Sequence, residues 1–168
     1  TDTEGLDGDD KAFGVSANLD TQNNGFGGSA GYNYFGEHYN PALGFANRRG
    51  IDSFNIGGNG RYFVQDHPII RTLNTFMRYE YNRDLETREL QSENLFWRPL
   101  NINTHVGDQL GVGVGRNREG LTQDFQISPG IFIPAGKYSF TEMNAELNFS
   151  NPRDFSPGVQ VNSGEFYN

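Results

Sequence analysis

The sequence has no cysteine, only two lysines and no long apolar run. Each of these features excludes or disfavours a kind of structure or partner. Without cysteine, neither disulfides nor thiolate metal sites can form. No stretch of roughly 18 or more apolar residues exists, which excludes a transmembrane helix. The net charge of -8, with Lys11 and Lys137 as the lysines, argues against nucleic acid as a partner, because phosphate binding needs clustered cations.

Glycine and aromatic side chains are what the chain has instead. There are 22 glycines and 14% aromatic residues, while hydrophobic residues reach 35%, which is low for a packed interior. No helical periodicity of useful length occurs. These features predict an all-β chain with small residues where backbones crowd.

Polar and apolar residues alternate along most of the chain. In "YSFTEMNAELNFSN" (138–151), Glu142, Asn144 and Glu146 alternate with Met143 and Leu147, so the strand has one wet and one apolar face. Similar stretches predict an antiparallel up-and-down meander of about eight strands. "TRELQSENLFWRPLNI" (87–102) mixes the two parities, which predicts either a β-bulge or a patch covered on both faces.

The organisation of the chain follows from the connections between these strands. Residues 1–11 form an acidic tail without periodicity, and residues 12–168 contain the strands. The longest connections, "EHYNPALGFANRRG" and "NREGLTQDFQISPGIFIPAGK", fall at one end of the meander, and the tight "TQNNG" and "NPRD" at the other. Transmembrane β-barrels show this asymmetry. With Thr1 first and no signal peptide visible, we expect a mature product or an excised piece.

The composition of the two parities favours a membrane barrel. The polar parity carries Asn, Ser, Gly, Arg and Glu with almost no Lys, which suits a watery lumen, and the apolar parities often end in Tyr or Phe, as interfacial girdles require. The predicted lumen-lining residues are Asn74, Arg78, Glu80, Glu142, Asn144 and Glu146. The alternative is a soluble β-sandwich that binds carbohydrate through surface aromatics such as Tyr39, Trp97 and Tyr167.

The loops offer candidate ligand contacts. These are Tyr39, Asn40, Arg48, Arg49 and Phe132, where the arginines could hold a sugar or an anionic lipopolysaccharide group or, equally, a loop-fixing ion pair. The apolar loop 123–137 could constrict the lumen, pack over the rim or contact a ligand, of which we favour packing.

Catalysis and cofactor binding find no support in the residues. Glu142 and Glu146 share a strand face some 13 Å apart by strand rise, too far for glycosidase geometry. "GVGVGRN" is followed by no helix, so we expect its glycines to admit neighbouring side chains rather than phosphate. The histidines lie in or beside separate loops. We predict no enzyme, cofactor or metal.

Three loop motifs and the end of the chain resemble one family. "YNPALGFANRRGI" (39–51), "TRELQSENLF" (87–96) and "FQISPGIFIPAGKYSF" (125–140), followed by "GEFYN", are similar in order and spacing to an uncharacterised outer-membrane barrel family of Gram-negative bacteria. Its members join an N-terminal carbohydrate-binding-like domain to a long C-terminal barrel. The resemblance implies an outer-membrane location, contact with outer-membrane lipid and a place within a barrel of more than eight strands.

The chain departs from that family in two respects. The carbohydrate-binding-like domain is absent, so sugar binding is not carried over. The last residues, Tyr167 and Asn168, replace the terminal aromatic residue on which outer-membrane barrels usually finish. We therefore expect an interior piece of a barrel that pairs with remaining strands, is not catalytic, and serves as a pore, a transport component or a surface scaffold for a glycan or small solute.

Overall fold

The chain folds into one large antiparallel sheet and a small ribbon. The computed structural model describes residues 11–21, 24–39, 49–150 and 155–165. Its strands are β1 (Ala12–Leu19), β2 (Gly25–Phe35), β3 (Ile51–Phe63), β4 (Ile70–Asp84), β5 (Leu90–Thr104), β6 (Gln109–Leu121), β7 (Phe125–Ser128), β8 (Ile131–Ile133), β9 (Gly136–Asn148) and β10 (Gly158–Gly164). Within these ranges, no helix is long and apolar enough to cross a membrane.

The large sheet is a meander in chain order. Its eight strands run β1-β2-β3-β4-β5-β6-β9-β10, and every neighbouring pair is antiparallel. This confirms the predicted all-β class and the eight-stranded meander. The separate β7–β8 ribbon lies in the connection between β6 and β9 and was not predicted. The sheet is open, with β1 and β10 as its edges.

The register brings the apolar parity of every strand onto one face. Residues paired directly across antiparallel strands share a face, as in the row Ala30, Ile56, Tyr79 and Leu95. The large hydrophobic members of this apolar face are Phe13, Val15, Leu19, Phe26, Tyr32, Tyr34, Phe54, Ile56, Tyr62, Leu73, Met77, Tyr79, Tyr81, Leu95, Trp97, Leu100, Ile102, Leu110, Val112, Val114, Met143, Leu147, Val159 and Val161.

The opposite, polar face carries amides, hydroxyls, glycines and charged groups. All six residues predicted to line a lumen lie on this polar face, in agreement with the alternation of the sequence in each strand. This face is the more sheltered one, since Ser53, Thr72, Asn82 and Ser92 are buried. Such a difference is expected of a sheet that curves toward its polar side.

No protein layer covers the apolar face in the described part of the chain. On this face, Met143 is 61% exposed, Ile56 50% and Trp97 47%. The buried hydrophobic residues of all the described ranges are Ile51 and Ile133. The β-sandwich alternative requires a second sheet packed on this face. The described ranges contain only the β7–β8 ribbon besides the large sheet.

The two longest connections lie at one end of the sheet, as the sequence predicted, but the connection that contains "NPRD" runs from 149 to 157 and is not tight. Residues 36–50, 85–89 and 122–135 connect strands at what we call the long-loop end, and residues 20–24, 64–69, 105–108 and 149–157 do so at the short-turn end. Residues 1–10 of the predicted tail lie outside the described residues. Lys11 continues the first ladder, because its carbonyl accepts a hydrogen bond from the Gly36 amide at 2.8 Å.

Hydrogen bonds between turns fix the short-turn end. The His105 amide donates to the Ile69 carbonyl at 2.9 Å, and His105 Nε2 lies 2.9 Å from the His67 carbonyl. The Ser150 amide donates to Asp108 Oδ1 at 3.0 Å. Neighbouring turns are therefore joined to each other as well as to their own strands.

A bulge in β5 confirms the irregularity predicted for 87–102. Trp97 pairs with Val114, but the next pair is Leu100 with Val112, so β5 holds one more residue than β6 between them. The extra residue reverses the parity, which returns Leu100 and Ile102 to the apolar face. Pro99 lies in this bulge, where its missing amide hydrogen breaks no ladder bond.

Asp84 shapes the turn between β4 and β5. Its Oδ1 accepts hydrogen bonds from the amides of Glu86 at 3.0 Å and Thr87 at 2.8 Å and from Thr87 Oγ1 at 3.1 Å. Its Oδ2 accepts from Gln91 Nε2 at 3.2 Å. The turn also holds Arg88 at a φ of 62°, a left-handed conformation that non-glycine residues adopt rarely.

Replacing Asp84 tests the importance of this turn. We expect Asp84→Ala to lower the free energy of unfolding by about 1 kcal/mol, since the amides of Glu86 and Thr87 lose their acceptor. Asp84→Asn keeps an oxygen acceptor and should lose clearly less. Urea unfolding followed by Trp97 fluorescence measures both, and equal losses would contradict the role given to the Oδ1 atom.

Candidate functional site

The polar face is built from glycines paired with side chains that lie flat over them. Five pairs repeat this arrangement, namely Gly14 with Asn33, Gly27 with Asn59, Gly31 with Asn55, Gly113 with Asn144, and Gly158 with Asn148. A Cβ atom at each of these glycines would lie 2.5–2.7 Å from the partner's Oδ1 atom. The glycines therefore make room for amides that cross onto the neighbouring strand.

The β6 glycines place three of the predicted residues side by side on β9. Gly115 pairs with Glu142, Gly113 with Asn144, and Gly111 with Glu146. A Cβ at Gly115 would lie 2.8 Å from Glu142 Cγ, and a Cβ at Gly111 would lie 3.0 Å from Glu146 Oε1. The glycines of "GVGVGRN" thus admit neighbouring side chains, as predicted.

An ion pair crosses this row of glycines. Arg98 Nη1 on β5 donates to Glu146 Oε1 on β9 at 2.7 Å, with about a fifth of each side chain exposed. Both strands flank β6, so the pair spans the intervening strand above Gly111. Arg98 Cζ also lies 5.9 Å from the centre of the Phe96 ring. A partly sheltered charge-assisted bond of this kind holds both groups in place.

Sequence reasoning missed Arg98 as the partner of Glu146. It grouped Glu142 with Glu146 on one strand, but the structure engages them separately, since Glu142 Oε1 accepts from Asn117 Nδ2 at 3.2 Å. Arg98 shares the parity of Phe96 and lies on the polar face, but it comes from β5, which is separated from β9 by β6. Glu142 and Glu146 thus have separate hydrogen-bond partners.

The predicted residues on β4 join a hydrogen-bond network. Asn74 Nδ2 donates to Thr72 Oγ1 at 3.2 Å, and Glu80 Oε1 accepts from Asn82 Nδ2 at 2.9 Å. Asn82 Nδ2 also donates to Ser92 Oγ at 3.0 Å. Arg78 is exposed, and none of the ion pairs of the described residues includes it. Among the described residues, Arg78 therefore forms no ion pair with a carboxylate.

Aromatic rings interrupt the polar face beside Glu142. Phe96 and Phe140 line a recess of about 530 Å³ together with Glu142 and Asn144. Phe76 extends the ring cluster, with its ring centre 6.4 Å from that of Phe96. The sequence indicated that Phe96 lies on the polar face, because its parity is opposite to that of Leu95 and Trp97. The recess combines apolar rings with amide and carboxylate groups, a surface that can contact a polar solute with an apolar side.

The predicted loop contacts are only partly placed. Tyr39 packs near Phe35 with ring centres 6.0 Å apart, and Arg49 is exposed. Phe132 is 55% exposed on the β7–β8 ribbon. Asn40 and Arg48 lie outside the described residues. The ribbon itself buries Ile133 and leaves Phe125, Ile127, Ile131 and Phe132 exposed, so the packing favoured for loop 123–137 is limited to Ile133.

The polar face presents amides, carboxylates and guanidinium groups, several of which have partners of their own. In the described ranges, no group of three or more His, Asp or Glu side chains is arranged to hold a metal ion. The carboxylates of Glu142 and Glu146 each have their own partner, and neither is paired with a nucleophile. In the described part of the chain, the arrangement is a surface of amides with one ion pair, Arg98 with Glu146.

Alanine substitutions on the two faces test the glycine arrangement. Gly115→Ala should lower the free energy of unfolding by about 1–2 kcal/mol, because its Cβ collides with Glu142 Cγ near the strand backbone. Gly58→Ala is the matched control, since nothing lies within 4 Å of a Cβ at Gly58 on the apolar face. The control should be neutral or slightly stabilising. Urea midpoints measure both, and equal values would refute the arrangement.

Comparison with known proteins adds no relative. No family model, no curated protein and no solved structure matches the chain. The resemblance of the loop motifs to the outer-membrane barrel family stays a prediction.

Proposed function

We propose that this chain is a segment of an outer-membrane β-barrel of a Gram-negative bacterium and that it acts without catalysis as a pore, a transport component or a surface-binding scaffold. Its apolar face contacts lipid, and its polar face lines a watery lumen. The observation that carries the proposal is the uncovered apolar face, which continues across all eight strands of the sheet. Exposed apolar surface of this extent marks contact with a membrane or a partner.

The length of the apolar face suits a bilayer. On β4 it runs from Leu73 to Tyr81, close to the ~9–11 residues that a tilted strand needs to cross the membrane. On β3, Phe54 and Tyr62 are its outermost large residues, about 26 Å apart at the strand rise of ~3.3 Å per residue. Outer-membrane barrels carry an apolar band of ~25 Å.

Aromatic residues lie at both ends of the band. Near the long-loop end, the Phe13 ring lies 5.3 Å from that of Tyr34, and the Tyr32 ring lies 4.8 Å from that of Phe54. Phe26 and Tyr62 lie near the short-turn end and are 76% and 55% exposed. Two aromatic girdles that flank an apolar band are typical of membrane barrels.

The open edges of the sheet support further strands as partners. β1 and β10 each have one neighbour, and every unpaired amide or carbonyl in hydrocarbon costs several kcal/mol. A segment in lipid therefore needs the remaining strands of a larger barrel on both sides. The long-loop end faces the cell exterior in this arrangement, because outer-membrane barrels have short periplasmic turns.

The lumen offers two places for a solute. One is the recess lined by Phe96, Phe140 and Glu142. The other is the long-loop end, where Tyr39, Arg49 and Phe132 remain candidate contacts for a glycan or a small solute.

Lipid contact can be tested with the one tryptophan of the chain. In bilayers of phosphatidylcholine brominated on its acyl chains, we expect Trp97 fluorescence to be quenched at least twofold, because Trp97 is exposed on the apolar face. The matched control is the double variant Phe96→Trp, Trp97→Phe, which moves the ring to the polar face. Its fluorescence should resist brominated lipid and respond to aqueous iodide. Unquenched Trp97 in the full-length protein would refute lipid contact.

Neighbouring cysteines on β10 test the lumen. The chain has no cysteine of its own, so Val161→Cys and Asn162→Cys give single thiols on opposite faces. Both positions are exposed in this chain. In the outer membrane, a charged thiol reagent should modify Asn162→Cys at least tenfold faster than Val161→Cys, since the reagent does not enter hydrocarbon. Equal rates would show that both faces are in water.

A further inference from the structure

A group of basic side chains lies on the apolar face at the level where the apolar band ends. On β6, Leu110, Val112 and Val114 are followed on the same face by Arg116 and Arg118. Lys137 on β9 pairs with Gly120 and so lies on that face as well. We call Arg116, Arg118 and Lys137 the outward basic cluster. All three lie toward the long-loop end.

The cluster surrounds small residues with hydroxyl groups. Arg116 pairs with Thr141, and Arg118 pairs with Ser139. Lys137 is the diagonal neighbour of Arg118, a relation that brings side chains within ~7–8 Å. The short side chains of Ser139 and Thr141 leave space between the longer cationic ones. Cations around hydroxyl donors form a site of the chemistry that binds phosphate.

A fixed ion pair positions one member and leaves the others accessible. Arg118 Nη1 donates to Glu93 Oε2 at 2.9 Å, and Glu93 Oε1 accepts from the Tyr79 hydroxyl at 3.2 Å. Arg118 still has 43% of its side chain exposed. Arg116 and Lys137 are exposed, and no ion pair found in the described part of the chain includes them. Two cations are therefore available to an external anion.

The position of the cluster is unusual for this chain. A net charge of -8 makes a cationic surface unexpected, yet the outward face here holds three cations against two carboxylates, Glu93 and Glu165, of which Glu165 lies opposite Thr141. At the same end of β3 and β4, the outward charged side chains pair with one another. Buried Asp52 pairs with Arg83 and lies 3.7 Å from Arg88. The cluster thus lies at the same end of the sheet as the aromatic residues Phe13, Tyr34 and Phe54, on strands farther along the sheet.

The geometry points to a binding site for the phosphate group of an outer-leaflet lipid at Arg116, Arg118 and Lys137. This inference rests on the proposed membrane barrel, which turns the apolar face to lipid and the long-loop end outward. Basic residues beside a membrane surface attract anionic headgroups. Arginine forms paired hydrogen bonds with phosphate oxygens, and Ser139 and Thr141 add hydroxyl donors.

Lipid A and its dephosphorylated form provide the test. The full-length protein in detergent is titrated with each lipid, and binding is measured by native mass spectrometry. We expect lipid A to bind at least tenfold more tightly than the dephosphorylated form. The double variant Arg116→Gln, Lys137→Gln should lose this preference, while Arg118 keeps its pair with Glu93. The matched control, Arg61→Gln, Arg78→Gln, removes the same charge from the polar face and should retain it.

Three results would overturn the inference. These are equal binding of the two lipids, an unchanged preference in the Arg116→Gln, Lys137→Gln variant, or displacement of lipid A by an equimolar amount of inorganic phosphate, which would identify a free-anion site. Trp97 quenching by brominated lipid, measured on the same preparations, separates the two proposals. If quenching persists without phosphate preference, the lipid site fails alone, and if quenching is absent, the membrane barrel fails with it.

Discussion

The backbone register of eight antiparallel strands decides which face every side chain of this protein takes. Because the side-chain period of a strand is two, a slip of one residue in any strand would move its apolar set onto the polar face. The bulge between Trp97 and Leu100 shows how the register is kept. One extra residue in β5 absorbs the local mismatch, so Leu100 and Ile102 rejoin the face that Leu95 and Trp97 occupy.

Charge is distributed according to the same register. On the apolar face, ion pairs such as those of Asp52 with Arg83 and Glu93 with Arg118 occur toward the long-loop end. On the polar face, the pair of Arg98 with Glu146 lies in the middle of the sheet. Among the described residues, ion pairs thus reach mid-sheet on the polar face only. A sheet between two uniform aqueous surfaces would have no reason for this asymmetry.

Much of this arrangement could be predicted from the sequence, because alternation is a local signal. The strands, the two parities and the division into long and short connections all follow from residues near one another in the chain. The partner of Glu146 could not be predicted, since Arg98 lies on another strand and the pair spans the strand between them. The β7–β8 ribbon was also missed, because its strands are too short to show alternation.

Phe96 is a residue whose face could be predicted from the sequence but whose neighbours could not. The parity of Phe96 could be read from the sequence and places the ring on the polar face. The role of that ring depends on its neighbours, which come from β4 and β9 and cannot be identified from β5 alone. Sequence reasoning therefore located the candidate surface on the correct face of each strand. The recess formed by Phe96 and Phe140 needed the order and register of the whole sheet.

The glycines beneath the asparagine side chains have a consequence for the width of any channel. An amide that rests on the adjacent backbone adds little thickness to a wall, whereas one that points inward takes up several ångströms of radius. A cylinder lined in this way keeps an inner diameter close to that of its main chain. In the proposed barrel, permeability would then be controlled by the longer exposed side chains of the polar face, such as Arg78.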